Sequence, residues 1–345
     1  MKRLISLTLA LVVALTLIAA PAFAAETITV FNWYDYIDED VIKLFEEETG
    51  ISVKYANFTD NEEMYIKVKN SPSAYDVIVP SDYIIERMIR EDLLEKLDLD
   101  AMPNIEGIIE WMRTPAYDPT GEYSAAYMWG TLGILYNTDM VEEEIESWES
   151  LFDITYKRNV IMMKSIRDTI GMTLKMLGYS MNTREIEQLE VAKVRLLQQK
   201  ADGIVKGYLL DETKDKMIAG EAALALMYSG DALYSMMENE ALEYVVPIEG
   251  SNVWVDGMCI PKGSQNKEAA QQFIDFMCRP DIARMNMDYI YYSTPIQQVV
   301  DEMDEEERDN LTLNPSQEII DRCEFFHDLG DFIVQYEQIW MEILS

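Results

Sequence analysis

The first third of the chain alternates between strand-like and helix-like hydrophobic patterns, and this alternation restricts the possible fold more than any other feature. Short apolar runs typical of strands occur at 28–33, 51–55 and 75–79. Each run precedes a segment of helical periodicity, and these segments occupy 40–49, 61–69 and 83–94. Gly50 follows the first helical segment, a position where glycine commonly ends a helix. The β-α-β-α-β-α order predicts an α/β protein with a mostly parallel, doubly wound sheet.

Two extended segments without helical periodicity interrupt this alternation and predict that the chain crosses between two lobes. The first lies at 124–137 and the second at 253–260, with a further series of strands and helices between them. We therefore expect two α/β lobes with a ligand cleft between them, since such clefts are preferred binding locations and close by hinge motion. The predicted division is 25–133 plus 257–298 for lobe 1 and 134–256 plus 299–345 for lobe 2.

Acidic residues outnumber basic residues by a wide margin. The 345 residues include 63 Asp and Glu against 28 Lys and Arg, which gives a formal net charge of −35. Nucleic acids and anionic lipid surfaces are held by Lys and Arg, so this balance argues against both as partners. A strongly negative field attracts cationic ligands instead. Most of these carboxylates are expected to be ordinary surface groups, and those beside aromatic residues at the ends of elements are the candidates for a site.

Residues 1–24 have the three parts of a secretory signal peptide. Lys2 and Arg3 form a basic start, 4–20 are apolar, and 22–24 (AFA) form a small-x-small cleavage motif. The apolar part is short for a membrane span, and Pro21 closes it. We expect this segment to be removed and the protein to be exported as a soluble chain to the periplasm or another extracytoplasmic space.

Residue types that commonly serve in catalysis or metal binding are scarce. Cys259, Cys278 and Cys323 lack metal-ligand spacing, and their odd number leaves at least one thiol unpaired. His327 is the single histidine of the sequence, so any nucleophile activated by a histidine would have to use it. The sequence therefore predicts no metal site, no cofactor and no catalytic residues.

Aromatic and acidic residues occur together at the ends of several predicted elements. The groups are Trp33-Tyr34-Asp35-Tyr36, Ser81-Asp82-Tyr83, Tyr228-Ser229-Gly230-Asp231 and Trp254-Val255-Asp256, followed by Tyr292. The carboxyl ends of parallel strands form the edge where open α/β sheets bind ligands. Carboxylates give charge-assisted hydrogen bonds to ammonium groups, and aromatic faces contact methylenes and attract cations. The pattern predicts a site for an alkyl ammonium, and a second, distant carboxylate would distinguish a polyamine from a monoamine or a neutral sugar.

These motifs resemble those of the spermidine/putrescine-binding proteins of ABC importers, over nearly the whole chain after the leader. The more specific motifs are Asn32-Trp33-x-Asp35-Tyr36 and Trp254-Val255-Asp256. The others are 45–53 (FEEETGISV), 61–65 (NEEMY), 75–83 (YDVIVPSDY), 129–130 (WG), 177–180 (LGYS) and 293–295 (STP). The resemblance implies a type II periplasmic-binding-protein fold and a receptor without enzymatic activity. It also implies that the bound polyamine is delivered to the membrane permease subunits of an ABC importer.

The same resemblance implies roles for individual residues. The side chains expected to enclose the methylene chain of the polyamine are Trp33, Tyr36, Tyr83, Trp254 and Tyr292. Those expected to contact its amines are Asp35, Asp256 and, as a polar contact, Ser81. Asp168 occupies a position where the family has an acidic residue. Asp231, three residues after Tyr228, matches the aromatic-x-x-Asp pattern of putrescine-preferring members.

Four positions depart from the family pattern and leave the ligand length open between putrescine and spermidine. Tyr34 replaces a small Ser or Thr, and Tyr228 replaces a Trp. Ser165 occupies a position where spermidine-preferring members have Asp, and Phe326 one where some members have Gln. Asp231 together with Ser165 favours putrescine. Tyr34 stays among the expected ligand-binding residues, as a bulky side chain that sets the length of the ligand.

Three other functions are open to a chain of this kind. A ferric-ion receptor could use the cluster Tyr289, Tyr291 and Tyr292, and a sugar receptor could use the tryptophans. An exported hydrolase could use two carboxylates, as glycosidases do. The hydrolase is disfavoured because the acids lie beside aromatic residues on both predicted lobes and no nucleophile motif is present.

Overall fold

The computed structural model describes residues 26–345. The predicted signal peptide at 1–24 therefore lies outside the described residues. Among the helices of this range, none has both the length and the apolar character that a membrane span requires.

Helices and strands alternate along most of the described chain. The strands are β1 (Thr27–Trp33), β2 (Ser52–Phe58), β3 (Val77–Ile78), β4 (Ala125–Asn137), β5 (Val160–Met163), β6 (Val205–Leu209), β7 (Leu224–Tyr228), β8 (Leu242–Val245) and β9 (Val253–Met258). The helices are α1 (Glu39–Thr49), α2 (Asn61–Asn70), α3 (Asp82–Arg90), α4 (Glu110–Arg113), α5 (Ile166–Met176), α6 (Ile186–Ala201), α7 (Glu212–Ile218), α8 (Ser229–Glu238), α9 (Lys267–Met277), α10 (Pro280–Ile290), α11 (Gln297–Asp301), α12 (Glu305–Asp309), α13 (Gln317–Asp321) and α14 (Ile333–Leu344).

The first sheet is parallel and has the order β2-β1-β3. Val30 on the central strand lies opposite Tyr55 on one side and Val77 on the other. Strands of a parallel sheet are covered on both faces, and the side chains of Ile28, Val30 and Phe31 are accordingly buried. The sheet confirms the alternating pattern read from the first third of the sequence.

The second sheet is mixed and has the order β6-β5-β7-β4-β8, with β9 paired to β4. β5 runs parallel to β6 and β7, whereas β4 is antiparallel to β7, β8 and β9. β4 is 13 residues long and buried throughout. Its first half pairs with β9 and its second half with β7 and β8, so one continuous strand makes the crossing predicted at 124–137.

Separate hydrophobic cores lie at the two ends of β4. One core contains residues from Ile28 to Trp129 and from Val253 to Leu313, and another contains residues from Leu132 to Leu226 and from Leu329 to Ile343. The predicted lobe boundaries stay a prediction. The packing of Val299, Met303 and Leu313 in the first core favours a final return to the second lobe after residue 313.

Some elements differ from the sequence-based expectation. β6 and α7 were not predicted, because the strand is a half-exposed edge segment in which Lys206 and Gly207 interrupt the apolar alternation. From residue 315 onward, the chain is helical only at α13, at α14 and in the short 3-10 turn Gly330–Phe332. The acidic run at 301–309 contains α12, which Asp304 caps in a reciprocal arrangement with Glu307.

Candidate ligand-binding site

Asp256 lies on β9 where this strand passes the carboxyl end of the first sheet. An antiparallel bridge joins it to Ser81, and the Gly257 amide donates to the Pro80 carbonyl at 3.0 Å. The phenol of Tyr36 donates to one carboxylate oxygen at 2.9 Å, and the hydroxyl of Ser81 donates to the other at 2.6 Å. Three separate parts of the chain therefore meet at one carboxylate.

The environment of Asp256 makes ionisation costly. The residue is 5% exposed, and among the described residues its hydrogen bonds come from hydroxyl groups. Burial raises its pKa from 3.8 to about 7, although the hydrogen bonds from Ser81 and Tyr36 act in the opposite direction. One pKa unit corresponds to ~1.4 kcal/mol, so the cost of the charge is on the order of 4 kcal/mol. Burial also raises the pKa of Tyr36, which keeps its phenol protonated and donating.

Asp168 is a second buried carboxylate, held at the start of α5. Ser165 caps this helix, and its hydroxyl donates to the same carboxylate oxygen that accepts from the Tyr228 phenol at 2.8 Å. The other oxygen of Asp168 is buried without a hydrogen-bond partner among the described residues. Burial raises the pKa of Asp168, against the lowering effect of Ser165, Tyr228 and Arg167. An unpartnered buried carboxylate oxygen is an acceptor that a ligand can use.

A set of aromatic rings lies next to the two carboxylates. The ring of Trp254 meets those of Tyr292 and Tyr228 edge to face, with centroids 4.9 and 5.8 Å apart. Tyr36 lies next to Tyr292 at 5.9 Å. The indole nitrogens of Trp254 and Trp33 are buried without partners within residues 26–345. These rings offer apolar faces with a few free donors at their edges.

Tyr83 has a polar and an aromatic environment on the lobe interface. Its phenol donates to Glu62 at 3.0 Å, and its ring meets that of Phe326 edge to face at 6.3 Å. The Arg167 guanidinium lies 4.3 Å from the Phe326 ring centroid and 5.4 Å from that of Tyr83. Burial raises the pKa of the Glu62 carboxyl, with a further contribution from Asp60.

The first residues of the predicted site, Trp33, Tyr34 and Asp35, have different environments in the structure. Trp33 packs on Phe58 with centroids 4.6 Å apart. Asp35 has a φ of 52°, in the left-handed region that Asp tolerates better than most residues, and accepts from the Tyr289 phenol at 2.8 Å. Tyr34 is 70% exposed, and its backbone amide bonds to the Phe58 carbonyl. The structure does not place the Tyr34 ring among the other aromatic residues of the site.

Asp231 follows β7 in the first turn of α8, as the sequence suggested, but it has a cationic partner. The Lys214 ammonium lies 3.1 Å from its carboxylate. The ring of Tyr292 packs against the neighbouring Gly230, and burial, with a further contribution from the Asp231 charge, raises the pKa of the Tyr292 phenol well above its usual value.

Sequence reasoning missed three charged residues at this interface, Glu62, Arg167 and Lys214, and it gave Asp82 no role of its own although it named the group Ser81-Asp82-Tyr83. Asp82 is fully buried, with one unpartnered oxygen, and burial and the Asp256 charge raise its pKa. Arg167 could have been suspected, because it is adjacent in sequence to the predicted site residue Asp168. No sequence signal marked Lys214, since the helix that carries it was not predicted.

Comparisons with known proteins show the family to which the chain belongs. A family model described as bacterial extracellular solute-binding protein matches residues 73–322. The spermidine/putrescine-binding periplasmic protein of Salmonella typhimurium is 32% identical over 332 residues, which cover 96% of this chain and 95% of the relative. A solved structure assigned to a spermidine/putrescine ABC transporter of Listeria monocytogenes superposes with a TM-score of 0.88 at 36% identity, covering 93% of this chain and 99% of that one. The spermidine/putrescine ABC transporter substrate-binding protein of Streptococcus pneumoniae gives a TM-score of 0.82 at 36% identity, covering 92% and 98%.

Two α/β lobes, joined by crossing strands and with charged and aromatic side chains between them, define a type II solute-binding protein. The matched relatives are binding and transport proteins. This chain belongs to the bacterial extracellular solute-binding proteins, in the family of the spermidine/putrescine-binding periplasmic proteins. The resemblance predicted from the aromatic and acidic motifs is confirmed.

Replacement of Asp256 by Asn is expected to stabilise the protein in the absence of ligand. A carboxyl whose pKa is raised by folding stabilises the fold below its unfolded pKa, and this contribution is lost as the pH rises through about 7. D256N should therefore raise the free energy of unfolding by about 1–3 kcal/mol at pH 8, after the loss of one hydroxyl hydrogen bond is subtracted. This increase should become smaller toward pH 4. Urea unfolding at both pH values measures it. D301N, at an exposed helix position, is the control, and a D256N protein less stable than wild type at pH 8 would contradict the buried-charge interpretation.

Replacement of Gly230 by Ala tests the position of Tyr292. A Cβ at residue 230 would lie 2.4 Å from the Tyr292 ring, whereas one at Gly207 in the same lobe would meet Leu209 at an ordinary 3.6 Å. Forcing a ring out of a packed site costs ~1–3 kcal/mol, so G230A should lower the free energy of unfolding by that amount while G207A changes it little. Equal denaturation midpoints for the two variants would show that the ring does not pack against Gly230.

Proposed function

We propose that this protein is an extracytoplasmic receptor for a polyamine of the putrescine/spermidine class. It binds the polyamine between its lobes and delivers it to the permease subunits of an ABC importer. The names of its relatives from Salmonella and Streptococcus support the ligand class and the transport context. The leader pattern at 1–24 supports export, and the net charge of −35 supports the exclusion of nucleic acid as a partner.

The observation that carries the proposal is the pair of buried carboxylates Asp256 and Asp168. Among the described residues, each takes its side-chain hydrogen bonds from hydroxyl groups and forms no salt bridge. A ligand ammonium supplies the charge-assisted hydrogen bonds that such groups lack. Two carboxylates on different elements also suit a ligand with separated amines. The rings of Trp254, Tyr228 and Tyr292 provide the apolar contact for the methylenes between them.

The residues proposed to contact the ligand follow from this arrangement. The amine contacts are Asp256 and Asp168, and the hydroxyls that orient these carboxylates are those of Tyr36, Ser81 and Tyr228. Trp33, Tyr83, Trp254 and Tyr292 are proposed as the enclosing rings. Asp35 and Asp231 belong to the outer end of the site, and Tyr34 remains a proposed contact because of its position in the motif, with its side chain largely exposed.

The alternative ligands fit the site less well. A neutral sugar would leave the charge of a buried Asp256 uncompensated, which is costly. The tyrosines considered for ferric ion have separate partners. Tyr289 donates to Asp35, the Tyr291 ring lies tilted beside that of Tyr234, and Tyr292 packs on Trp254. These three phenols therefore do not form a common set of ligands for one ferric ion.

Loss of the Asp256 charge should weaken binding strongly. Truncating one partner of a buried charge pair costs ~2–5 kcal/mol, so D256N should raise the Kd for putrescine and spermidine by well over about tenfold. Titration calorimetry at pH 8 measures the change, with D301N expected to bind as wild type does. Binding of a sugar or of ferric ion by the wild-type protein, with no binding of either polyamine, would refute the proposed function.

Polyamine affinity is also expected to depend on pH in a defined direction. Because the pKa of Asp256 is about 7, protons compete with the ammonium group at lower pH. The Kd should be nearly constant above pH 8 and should increase below pH 7, with a limiting slope of about tenfold per pH unit for this single group. Fluorescence titrations between pH 5.5 and 8.5 would test this. A flat profile would remove Asp256 as the titrating contact.

A further inference from the structure

Lys214 places a primary ammonium group at the outer end of the site. It lies on α7, and its Nζ atom is 3.1 Å from Asp231 Oδ1, with both side chains 31% exposed. The aromatic ring of Tyr234 lies 6.0 Å from the same nitrogen. Lys214 is therefore a half-buried cation between a carboxylate and an aromatic face, which is the environment that the proposed function assigns to the amines of the ligand.

Carboxylates from both lobes act on this ammonium group. Burial lowers the pKa of Lys214, but Asp231, Asp211 and Asp35 together raise it above the usual value. Asp35 comes from the loop after β1 in the first lobe, whereas Asp211 and Asp231 lie in the second. Asp231 follows Gly230, against which the Tyr292 ring packs, and the Tyr292 ring in turn contacts Trp254. The Lys214–Asp231 pair is thus directly connected to the aromatic part of the site.

The chemistry of lysine makes this position unusual in a polyamine receptor. The lysine side chain consists of four methylenes that end in a primary ammonium. It therefore has the same carbon chain as butane-1,4-diamine and one of its two ammonium groups. A ligand amine and the Lys214 ammonium would compete for Asp231, and two cations at one carboxylate repel each other. A lysine at the end of the site therefore opposes any ligand long enough to bring a further amine there.

We propose that Lys214 is a specificity-determining residue, whose tethered ammonium occupies the outermost amine position and restricts the ligand to diamines. This inference rests on the proposed polyamine function. It assigns Asp231 to Lys214 rather than directly to the ligand, and it would give the expected preference for putrescine over spermidine a structural cause. The simpler interpretation, a surface ion pair that affects stability alone, predicts no change in ligand preference.

The test is the ratio of affinities for the two ligands in variants of matched shape. The K214M variant removes the charge and keeps the approximate length of the side chain. The ratio of spermidine to putrescine affinity should then rise at least about tenfold, because one charge-assisted hydrogen bond supplies a factor of this size. K216M is the matched control, because Lys216 lies two residues further on the same helix and pairs with Glu221. Its ratio should equal that of wild type. K214Q gives a second, polar replacement should the Met variant fold poorly.

A double variant identifies the carboxylate. If Lys214 acts by occupying Asp231, K214M/D231N should return the affinity ratio to about the wild-type value. An unchanged ratio in both K214M and K214Q, an equal shift in K216M, or a double variant that keeps the K214M ratio would each overturn the proposal. The polyamine function itself would still hold in those cases. It fails separately, if the wild-type protein binds neither ligand.

Discussion

The ionisation of Asp256 in a buried site is the interaction on which the rest of the binding site depends. A carboxylate that is 5% exposed cannot be solvated, so the fold must provide hydrogen bonds or a counter-charge. The fold provides hydroxyl groups from the loop after β1 and from the turn before α3. Both come from the first lobe, and the crossing strand β9 brings the carboxylate to them. Within residues 26–345, no cationic side chain pairs with Asp256, and this supports the proposal of a cationic ligand.

The two lobes meet around this site through ion pairs and hydrogen bonds as well as through aromatic contacts. Arg90 on α3 forms an ion pair with Asp328, and Glu86 on the same helix accepts from the Asp328 amide at 2.7 Å. Arg167 approaches Tyr83 from the second lobe. We propose that the lobes close on the ligand by hinge motion, and such closure would act on these same contacts.

Periodicity and strand-end motifs predicted much of this arrangement. The parallel first sheet and the crossing strands followed from hydrophobic patterns. The groups that contain Tyr36, Ser81 and Asp256 followed from aromatic and acidic residues at element ends, and the roles of these three residues followed from the resemblance to the family. Lys214 could not be found in this way, because it lies on a short helix after an edge strand of weak alternation. The exposure of Tyr34 was also hidden, since the left-handed backbone at Asp35 redirects the chain immediately after it.

Proton release on binding tests the central role of Asp256 most directly. Near pH 6.5 much of this carboxyl is protonated without ligand, and an ammonium group beside it must displace the proton. Calorimetric titration with putrescine in buffers of different ionisation enthalpy should show release of a fraction of one proton per ligand in the wild-type protein, and none from this site in D256N. Equal proton release in both proteins, or none in either, would contradict the account.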